Sequence, residues 1–600
     1  MSTAILTGQP VPGSPLEGDL RSLGFDVRVA SDAADVETLL AAVPGDQRVA
    51  VVDARFVGHV HALRLGLTDP RFAASAVPGA VTAKPEARTA LTHALRTSAE
   101  ATASLPDSLA EAMESGATDV HRPELGTLVA TVPTDPQTRN EARQAVAAVD
   151  DEAVRLRTAV KSRDGFFTTY CISPYSRYIA RWCARRGLTP NHVTTASLLT
   201  ALIAAGCAAT GTRGGFVAAG LLLIFSFVLD CTDGQLARYS LQYSTLGAWL
   251  DATFDRAKEY AYYAGLALGA ARGGDDVWAL ALGAMVLQTC RHVVDFSFNE
   301  ANSDSTASTG SAANTSPTAA LSDKLDSVGW TVWVRRMIVL PIGERWAMIA
   351  LLTAVTTPRI TLVVLLIGCA FAACYTTAGR VLRSLTRKAT RTDRAAGALA
   401  DLADNGPLAS AFAALKPGAW LRAAPVLALV GGAVLVGAAL SNPYGSPLVV
   451  AAAALYVALS GLALVMPLKA PLDWLVPPFF RAAEYGTALV LAAKADVNGA
   501  LPAAFGLVGA VAYHHYDTVY RIKGGTGAPP AWLVRAIGGQ EGRTLVVALA
   551  AALLPATDFT VALTALAVAV ALVVLVESIH FWVTAHKRGA PAVHDEGEPA

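Results

Sequence analysis

Four aspartates lie close together in the stretch LDCTDGQLARYSLQYSTLGAWLDATFDRAKEY, which begins where the apolar run GFVAAGLLLIFSFVL ends. Asp230 and Asp233 are three residues apart, and Asp251 and Asp255 are four apart, so each pair lies on one face of a helix. A carboxylate at the centre of a bilayer costs about 2.5–3.5 kcal/mol, so cations, water or partner groups must meet these side chains. Four carboxylates around one small cavity suit hard divalent cations such as Mg²⁺ or Mn²⁺.

Small and cationic residues accompany the aspartates. Gly234 and Gly247 allow a neighbouring helix or a bulky group to approach the backbone closely. Arg238 supplies a planar cation that suits a diphosphate. The alternative is purely structural, with the carboxylates paired to Arg238, Arg256 and Lys258.

The order of these residues is itself a pattern. Asp230-x2-Asp233-Gly234-x2-Ala237-Arg238-x8-Gly247-x3-Asp251-x3-Asp255 resembles, without a gap or substitution, the signature of the CDP-alcohol phosphotransferase family. The resemblance covers about residues 165–385. It implies a six-helix membrane fold whose members usually dimerise, and two divalent ions, Mg²⁺ or Mn²⁺, at the aspartates.

The resemblance also implies a role for individual residues. Asp230, Asp233 and Asp251 would hold the two ions, and Asp255 would complete the site and take the proton from the attacking hydroxyl. The positions expected to contact the cytidine diphosphate moiety are Asn191, Thr194, Gly234, Ala237, Arg238, Ser244 and Gly247.

The implied reaction moves a substituted phosphate group, in most membrane-resident bacterial members a phosphatidyl group, from a CDP-linked lipid donor such as CDP-diacylglycerol to an alcohol, and releases CMP. Arg291 follows the apolar run of the fourth predicted span, Arg345 opens the fifth and Arg380 closes the sixth. If these arginines converge, they would form an anion pocket for a polyol phosphate acceptor. The alternative is that these arginines only extend towards the membrane interface. A transporter or flippase and a catalytically silent scaffold are the competing functions.

Composition sets the class of protein. Hydrophobic residues make up 53% of the 600 residues and charged residues 16%, and several apolar runs of about 20 residues are long enough to span a bilayer. The sequence predicts a multi-pass protein of the plasma membrane in contact with membrane lipid. A net charge of zero gives no indication of a nucleic-acid partner. Seven cysteines without C-x-x-C spacing indicate buried thiols in a reduced compartment.

Five regions are expected along the chain. Residues 1–160 alternate β-prone and helical runs, which predicts a soluble α/β domain with a parallel sheet. No signal peptide precedes it, so this domain and the active site are expected to face the cytoplasm. After the transferase region, 386–420 is a charged helical linker, 421–585 a second helical membrane block of five or six spans, and 586–600 a disordered tail.

Two flanking regions have weaker resemblances. The junction KSRDGFFTTYCISPYSRYIARWCARRGLTPNHVT resembles that of fused enzymes in which an inositol-phosphate cytidylyltransferase precedes this membrane domain. The N-terminal domain lacks the Gly-x-Gly-x-Arg-Leu loop of such transferases and is expected to be degenerate, regulatory or a docking domain. The C-terminal block resembles an uncharacterised actinobacterial extension. Its His514, His515 and Asp517 could bind metal, and the alternative is that the histidine pair is structural.

Overall fold

The structure is a computed structural model that describes residues 2–97, 104–161, 164–308, 333, 337–386, 391–414 and 423–587. The chain divides into two compact units. The first consists of Met1–Ser162, Ser173–Pro190 and Thr232–Tyr243. The second consists of Arg163–Ile172, Asn191–Cys231 and Ser244–Ala600.

The first unit contains a six-stranded sheet. Its strands, in spatial order, are β2 (Phe25–Ala30), β1 (Ser2–Thr7), β3 (Val49–Asp53), β6 (Ala80–Ala83), β5 (Ala74–Val77) and β7 (Val120–His121). Two further short strands, β4 (Val57–Gly58) and β8 (Ala130–Thr131), form a separate antiparallel pair. The helices of this domain are α1 (Leu16–Ser22), α2 (Ala33–Ala42), α3 (Val60–Thr68), α4 (Arg88–Thr97), α5 (Leu105–Ser115), α6 (Pro136–Ala147) and α7 (Asp151–Thr158).

The prediction of a parallel sheet was wrong for part of it. Strand β1 is parallel to both β2 and β3, but β6 is antiparallel to β3 and to β5. The reason is a local turn at Pro78 and Gly79, where proline presets its φ and Gly79 adopts a φ of +81°. This two-residue connection reverses the chain, whereas a parallel neighbour would need a longer crossover. The sheet is therefore mixed.

Helix α8 (Ser173–Arg185) is the amphipathic segment of the basic, aromatic junction. Ser176, Ala180 and Cys183 are buried along one side, while Tyr175 and Trp182 are 68% and 53% exposed. Large exposed aromatic rings next to arginines are typical of a helix at a membrane interface.

The helices that continue from α8 to the central linker are long. They are α9 (Pro190–Ala209), α10 (Arg213–Ser240), α11 (Thr245–Arg272), α12 (Trp278–Ser308), α13 (Ile342–Val355) and α14 (Pro358–Thr386). The polar composition of residues 302–323 predicts a flexible loop, and this prediction was wrong for its first part, because α12 continues as helix to Ser308. Residues 309–323 lie outside the described part of the chain.

The second unit also contains the C-terminal block. Its helices are α15 (Asp393–Leu402), α16 (Pro407–Ala414), α17 (Ala424–Ser441), α18 (Pro447–Ala463), α19 (Val476–Ala495), α20 (Ala500–Lys523), α21 (Ala531–Ala536), α22 (Gly539–Leu553) and α23 (Ala556–Lys587). The expected tail is helical at residues 586 and 587, and its remainder lies outside the described residues.

Five helices of the described part are long and apolar enough to cross a membrane: α9, α10, α14, α17 and α23 up to Ala585. The apolar runs at about 247–271 and 276–298 predict two further spans. Helices α11 and α12 coincide with these runs but are not among the five. Aspartates, arginines and a lysine interrupt their apolar surface. The protein is a multi-pass helical membrane protein with an N-terminal α/β domain.

One hydrophobic core runs through the second unit. It joins the helices α9 to α14 to those of the C-terminal block, with Tyr263 and Leu266 on one side and Phe480 and Val511 on the other. The rings of Phe298 and Trp474 pack edge to face with centroids 5.3 Å apart. The transferase helices and the C-terminal helices are therefore packed as a single body.

Candidate active site

The turn between α10 and α11 brings several predicted site residues together. Ser244 caps α11, and its hydroxyl accepts a hydrogen bond of 2.9 Å from the backbone N–H of Gly247. A Cβ atom on Gly247 would lie 2.8 Å from both Asn191 Oδ1 and Ser244 Oγ. A larger residue would therefore displace Asn191, so glycine is required at this close approach. Three of the predicted nucleotide contacts thus meet at the start of α11.

The acidic cluster forms where the motif places it. Asp230 and Asp233 on α10 and Asp251 on α11 each offer a carboxylate oxygen, and these three oxygens lie within 4.8 Å of one another. Ligand oxygens at about 2.1 Å from Mg²⁺ are separated from each other by up to about 4 Å. Small side-chain rotations therefore suffice for these three carboxylates to bind one hard divalent cation. The donor chemistry fits Mg²⁺ or Mn²⁺.

Asp255 lies next to this group and has a cationic partner. Its Oδ1 is 2.8 Å from Nζ of Lys258, which lies three residues further along α11. The same ammonium contacts Asp230 and donates a 3.1 Å hydrogen bond to Ser197 Oγ. The Lys258 side chain is fully buried. Lys258 therefore links the carboxylates of the two helices.

Sequence reasoning considered Lys258 only as a structural counter-ion and did not include it among the site residues. A spacing of three residues indicates the contact with Asp255. The contact with Asp230 depends on how α10 and α11 pack, and no local pattern reports that packing. The feature of the sequence that could have indicated these contacts was the presence of a lysine inside an acidic motif.

Arg238 already has one partner at the end of α10. Its Nε donates a hydrogen bond of 2.6 Å to the carbonyl oxygen of Ala159. The rest of the guanidinium lies beside Gly234, where a Cβ atom would be 3.4 Å from Nη1. Thr194 is buried on α9, and Ala237 is half-buried one residue before Arg238.

The three arginines predicted to bind the acceptor are all engaged by the chain itself. Arg345 forms a two-pronged pair with Glu259, at 2.8 Å from Nε to Oε1 and 3.1 Å from Nη2 to Oε2. Arg291 donates to the carbonyl of Val339 at 2.7 Å, and Arg380 pairs with Asp295. A role in acceptor binding stays a prediction for all three.

His514 and Asp517 of the C-terminal block have separate partners, and neither ring nitrogen of His515 has one among the described residues. His514 Nε2 lies 3.2 Å from Asp404 Oδ1, whereas Asp517 Oδ1 accepts hydrogen bonds from Ser578 and Trp582. Within the described ranges, the aspartate group on α10 and α11 is the one cluster of three ligands that could hold a metal ion. The structure does not support a metal site at His514, His515 and Asp517.

A comparison with known protein families shows which family the region around the site matches. Residues 187–373 match the family described as CDP-alcohol phosphatidyltransferase. These residues include the whole aspartate motif. The chain contains a CDP-alcohol phosphatidyltransferase domain. Residues 393–600, which follow this transferase domain, match a family of unknown function (DUF5941).

Several curated proteins are similar to the transferase domain. A phosphatidylinositol phosphate synthase of Streptomyces avermitilis is 33% identical over 130 residues, which is 20% of this chain and 51% of that protein. One of Mycolicibacterium smegmatis is 40% identical over 102 residues, or 17% and 45% of the two chains. A bifunctional IPC transferase and DIPP synthase of Aquifex aeolicus is 31% identical over 114 residues, or 19% and 26%. The chain thus spans about half or less of the length of these relatives.

Proposed function

We propose that the protein is an integral-membrane enzyme that transfers a phosphatidyl group from CDP-diacylglycerol to a hydroxyl of a polyol phosphate and releases CMP. The observation that carries this proposal is the group of three carboxylates within 4.8 Å of one another inside the transferase domain. A scaffold or a transporter would have no need to hold these carboxylates in register.

Two divalent ions, Mg²⁺ or Mn²⁺, are proposed as cofactors, and when bound they neutralise the diphosphate of the donor. Asp230, Asp233 and Asp251 would hold the first ion. Asp255 would complete the site for the second ion. The protein's share of the catalysis is mainly positioning, as phosphoryl transfer requires.

The proton of the acceptor hydroxyl is assigned to Asp255. The acceptor oxygen forms a bond to the phosphorus that carries diacylglycerol, the bond from that phosphorus to the bridging oxygen breaks, and CMP departs with the bonding electrons. The Asp255 carboxylate takes the proton as the new bond forms. The contact with Lys258 keeps this carboxylate ionised and oriented.

Contacts to the nucleotide are proposed for the residues around the turn. Ser244 and Asn191 present oxygen atoms beside Gly247, where the backbone is uncovered. Gly234 and Ala237 leave room along α10, and the planar guanidinium of Arg238 would meet the diphosphate. Thr194 completes the set from α9.

The acceptor is proposed to be inositol phosphate or a related polyol phosphate. Relatives are named phosphatidylinositol phosphate synthases, and Arg291, Arg345 and Arg380 are the arginines that we assign to the phosphate. Because each has a partner in the chain, binding would require an exchange of partners. We also propose a homodimer in the plasma membrane, a site that faces the cytoplasm, and a regulatory role for the N-terminal domain.

The test is an assay of CMP release. Full-length protein in lipid nanodiscs is incubated with CDP-diacylglycerol, Mn²⁺ or Mg²⁺, and either inositol 1-phosphate, inositol, glycerol 3-phosphate or serine. We expect metal-dependent CMP release with one of the polyol phosphates. Absence of CMP with every acceptor and either metal would contradict the proposal.

A further inference from the structure

The C-terminal block contains a polar cavity that the transferase reaction does not use. The cavity has a volume of about 220 Å³. Its walls come from the segment that contains α15 and α16, from α20, and from α21 together with the loop that precedes it. Its polar lining residues are Asp401, Asp404, Asn405, Ser410, His514, Thr518 and Arg535.

The wall behind the cavity is an ion-pair network. Oδ2 of Asp404 lies 2.7 Å from Nη2 of Arg543 and 3.0 Å from Nη2 of Arg481. Both guanidinium groups also pair with Glu484, at 2.7 and 2.8 Å. Two cations and two carboxylates thus neutralise each other, all of them buried. Such a network has a high desolvation cost and is weak evidence for stability alone.

The loop in front of this network is fixed by backbone contacts. The N–H groups of Gly406 and Ala409 donate to the carboxylate of Glu541 at 2.9 and 3.1 Å. Asp404 itself has a φ of +51°, a left-handed conformation that is unfavourable for a residue with a side chain. Strain and buried charge held in one place are typical of a functional site.

Three buried polar atoms of the wall have no hydrogen-bond partner among the described residues: His514 Nδ1, Arg481 Nε and Arg543 Nη1. His514 is 2% exposed, its Nε2 faces Asp404, and its Nδ1 has no hydrogen bond. Because Nε2 faces the carboxylate of Asp404, Nδ1 is the ring nitrogen that remains for a ligand. The hydroxyls of Thr518 and Ser410 donate to main-chain carbonyls at 2.9 and 2.8 Å, which leaves their oxygen lone pairs as acceptors.

These groups select the ligand by its chemistry. The polar atoms on His514, Thr518 and Ser410 suit the hydroxyl groups of a polyol. At the mouth, Asp401 adds another acceptor and the exposed Arg535 supplies a cation that suits a phosphate. The cavity is suited to a small polar ligand, and its polar walls do not suit an acyl chain.

We propose that this cavity is a second binding site, specific for a small polyol monophosphate. Its hydroxyls bind to His514, Thr518 and Ser410, and its phosphate binds to Arg535. The site is separate from the aspartate motif, and the proposal does not depend on the transferase reaction.

Binding is measured on full-length protein in nanodiscs by isothermal titration, with EDTA present and no CDP-linked donor. The probes are inositol 1-phosphate, inositol and inorganic phosphate. We expect inositol 1-phosphate to bind at least tenfold more tightly than either of the other two. Equal affinity for inorganic phosphate, or binding of none of the probes, would overturn the proposal.

Variants then locate the binding site. Arg535 is exposed, so Arg535→Gln is not expected to affect folding. This variant should weaken the binding of inositol 1-phosphate at least tenfold. Arg157→Gln, the same change at an exposed position of the N-terminal domain, is the matched control and should have no effect. Ser410→Ala should weaken binding severalfold. Unchanged affinity in both Arg535→Gln and Ser410→Ala would show that the ligand binds elsewhere and would overturn the assignment.

Discussion

Two clusters of ionisable side chains in this protein have opposite charge balances. At the transferase motif, four aspartates lie on α10 and α11, and Lys258 contacts two of them. In the C-terminal block, Asp404 and Glu484 are matched by Arg481 and Arg543. The first cluster has an excess of negative charge and is suited to cations from outside the protein. The second is neutralised by its own side chains and forms a rigid wall.

The largest effect is expected when the first cluster loses its proposed base. Asp255→Asn keeps the shape of the side chain but removes the base, so kcat for CMP release should fall about 10²–10⁴-fold. Asp275→Asn is the matched control, because Asp275 is an exposed aspartate paired only with Arg359 at the surface, and its activity should stay within twofold of wild type. Equal activity of Asp255→Asn and the control would remove Asp255 from the chemistry.

A second variant removes one cation from the neutralised cluster of the C-terminal block. Arg481→Met leaves Asp404 and Glu484 with one guanidinium between them, and loss of one partner from a buried ion pair costs about 3–5 kcal/mol. The thermal unfolding temperature should fall clearly. Arg359→Met removes an exposed pair with Asp275 and should change stability by less than about 1 kcal/mol. If both variants unfold at the wild-type temperature, the network does not stabilise the C-terminal block.

His61 provides a third environment for an ionisable side chain in this protein. It is buried in the N-terminal domain, and neither of its ring nitrogens has a hydrogen bond among the described residues. Burial, with smaller contributions from Arg155 and Arg64, lowers the pKa of His61 from 6.5 to about 4. The unfolded chain therefore binds a proton that the folded domain does not between these pH values. Stability should fall by up to about 3 kcal/mol as the pH drops from 6.5 to 4.

This pH dependence is measured by chemical denaturation of the full-length protein, with unfolding of the N-terminal domain followed between pH 7 and pH 4. His61→Leu should flatten the profile, whereas His93→Leu, at an exposed position, should retain it. A wild-type slope that survives in His61→Leu would mean that another group titrates.

The smallest expected effect tests how Lys258 acts in the acidic cluster. Its ammonium competes with divalent ions for Asp230 and Asp255, and like charges repel strongly at short distance. Lys258→Met should therefore tighten Mn²⁺ binding by about tenfold, or about 1.4 kcal/mol, as measured by titration calorimetry. Lys469→Met, which changes a surface lysine, is the control. Weaker Mn²⁺ binding in Lys258→Met would instead mean that the ammonium orders the carboxylates for the metal.

The sequence predicts the first cluster far better than the second. The spacing of Asp230, Asp233 and Asp251 indicates two helical faces, and Ser244 and Gly247 are typical of a helix start. Because the motif residues are close in sequence, a single turn between two helices is enough to bring them together. The multi-pass membrane class follows equally directly from the long apolar runs.

The second cluster could not be predicted, because its members are far apart in the chain. Arg543 and Asp404 are separated by 139 residues, and the pairing arises only when the helices of the C-terminal block pack. The contact of Lys258 with Asp230 and the antiparallel hairpin of β5 and β6 were missed for related reasons. Each depends on tertiary packing or on one turn rather than on periodicity.

The most direct test of the account is Mn²⁺ binding to full-length protein in nanodiscs, measured by equilibrium dialysis with electron paramagnetic resonance. The account predicts about two Mn²⁺ ions per chain in the wild type, loss of both in the double variant Asp230→Asn/Asp251→Asn, and no change in Glu484→Gln. Wild-type binding that persists in the double variant would contradict the claim that these two helices bind the ions of a CDP-alcohol phosphotransferase.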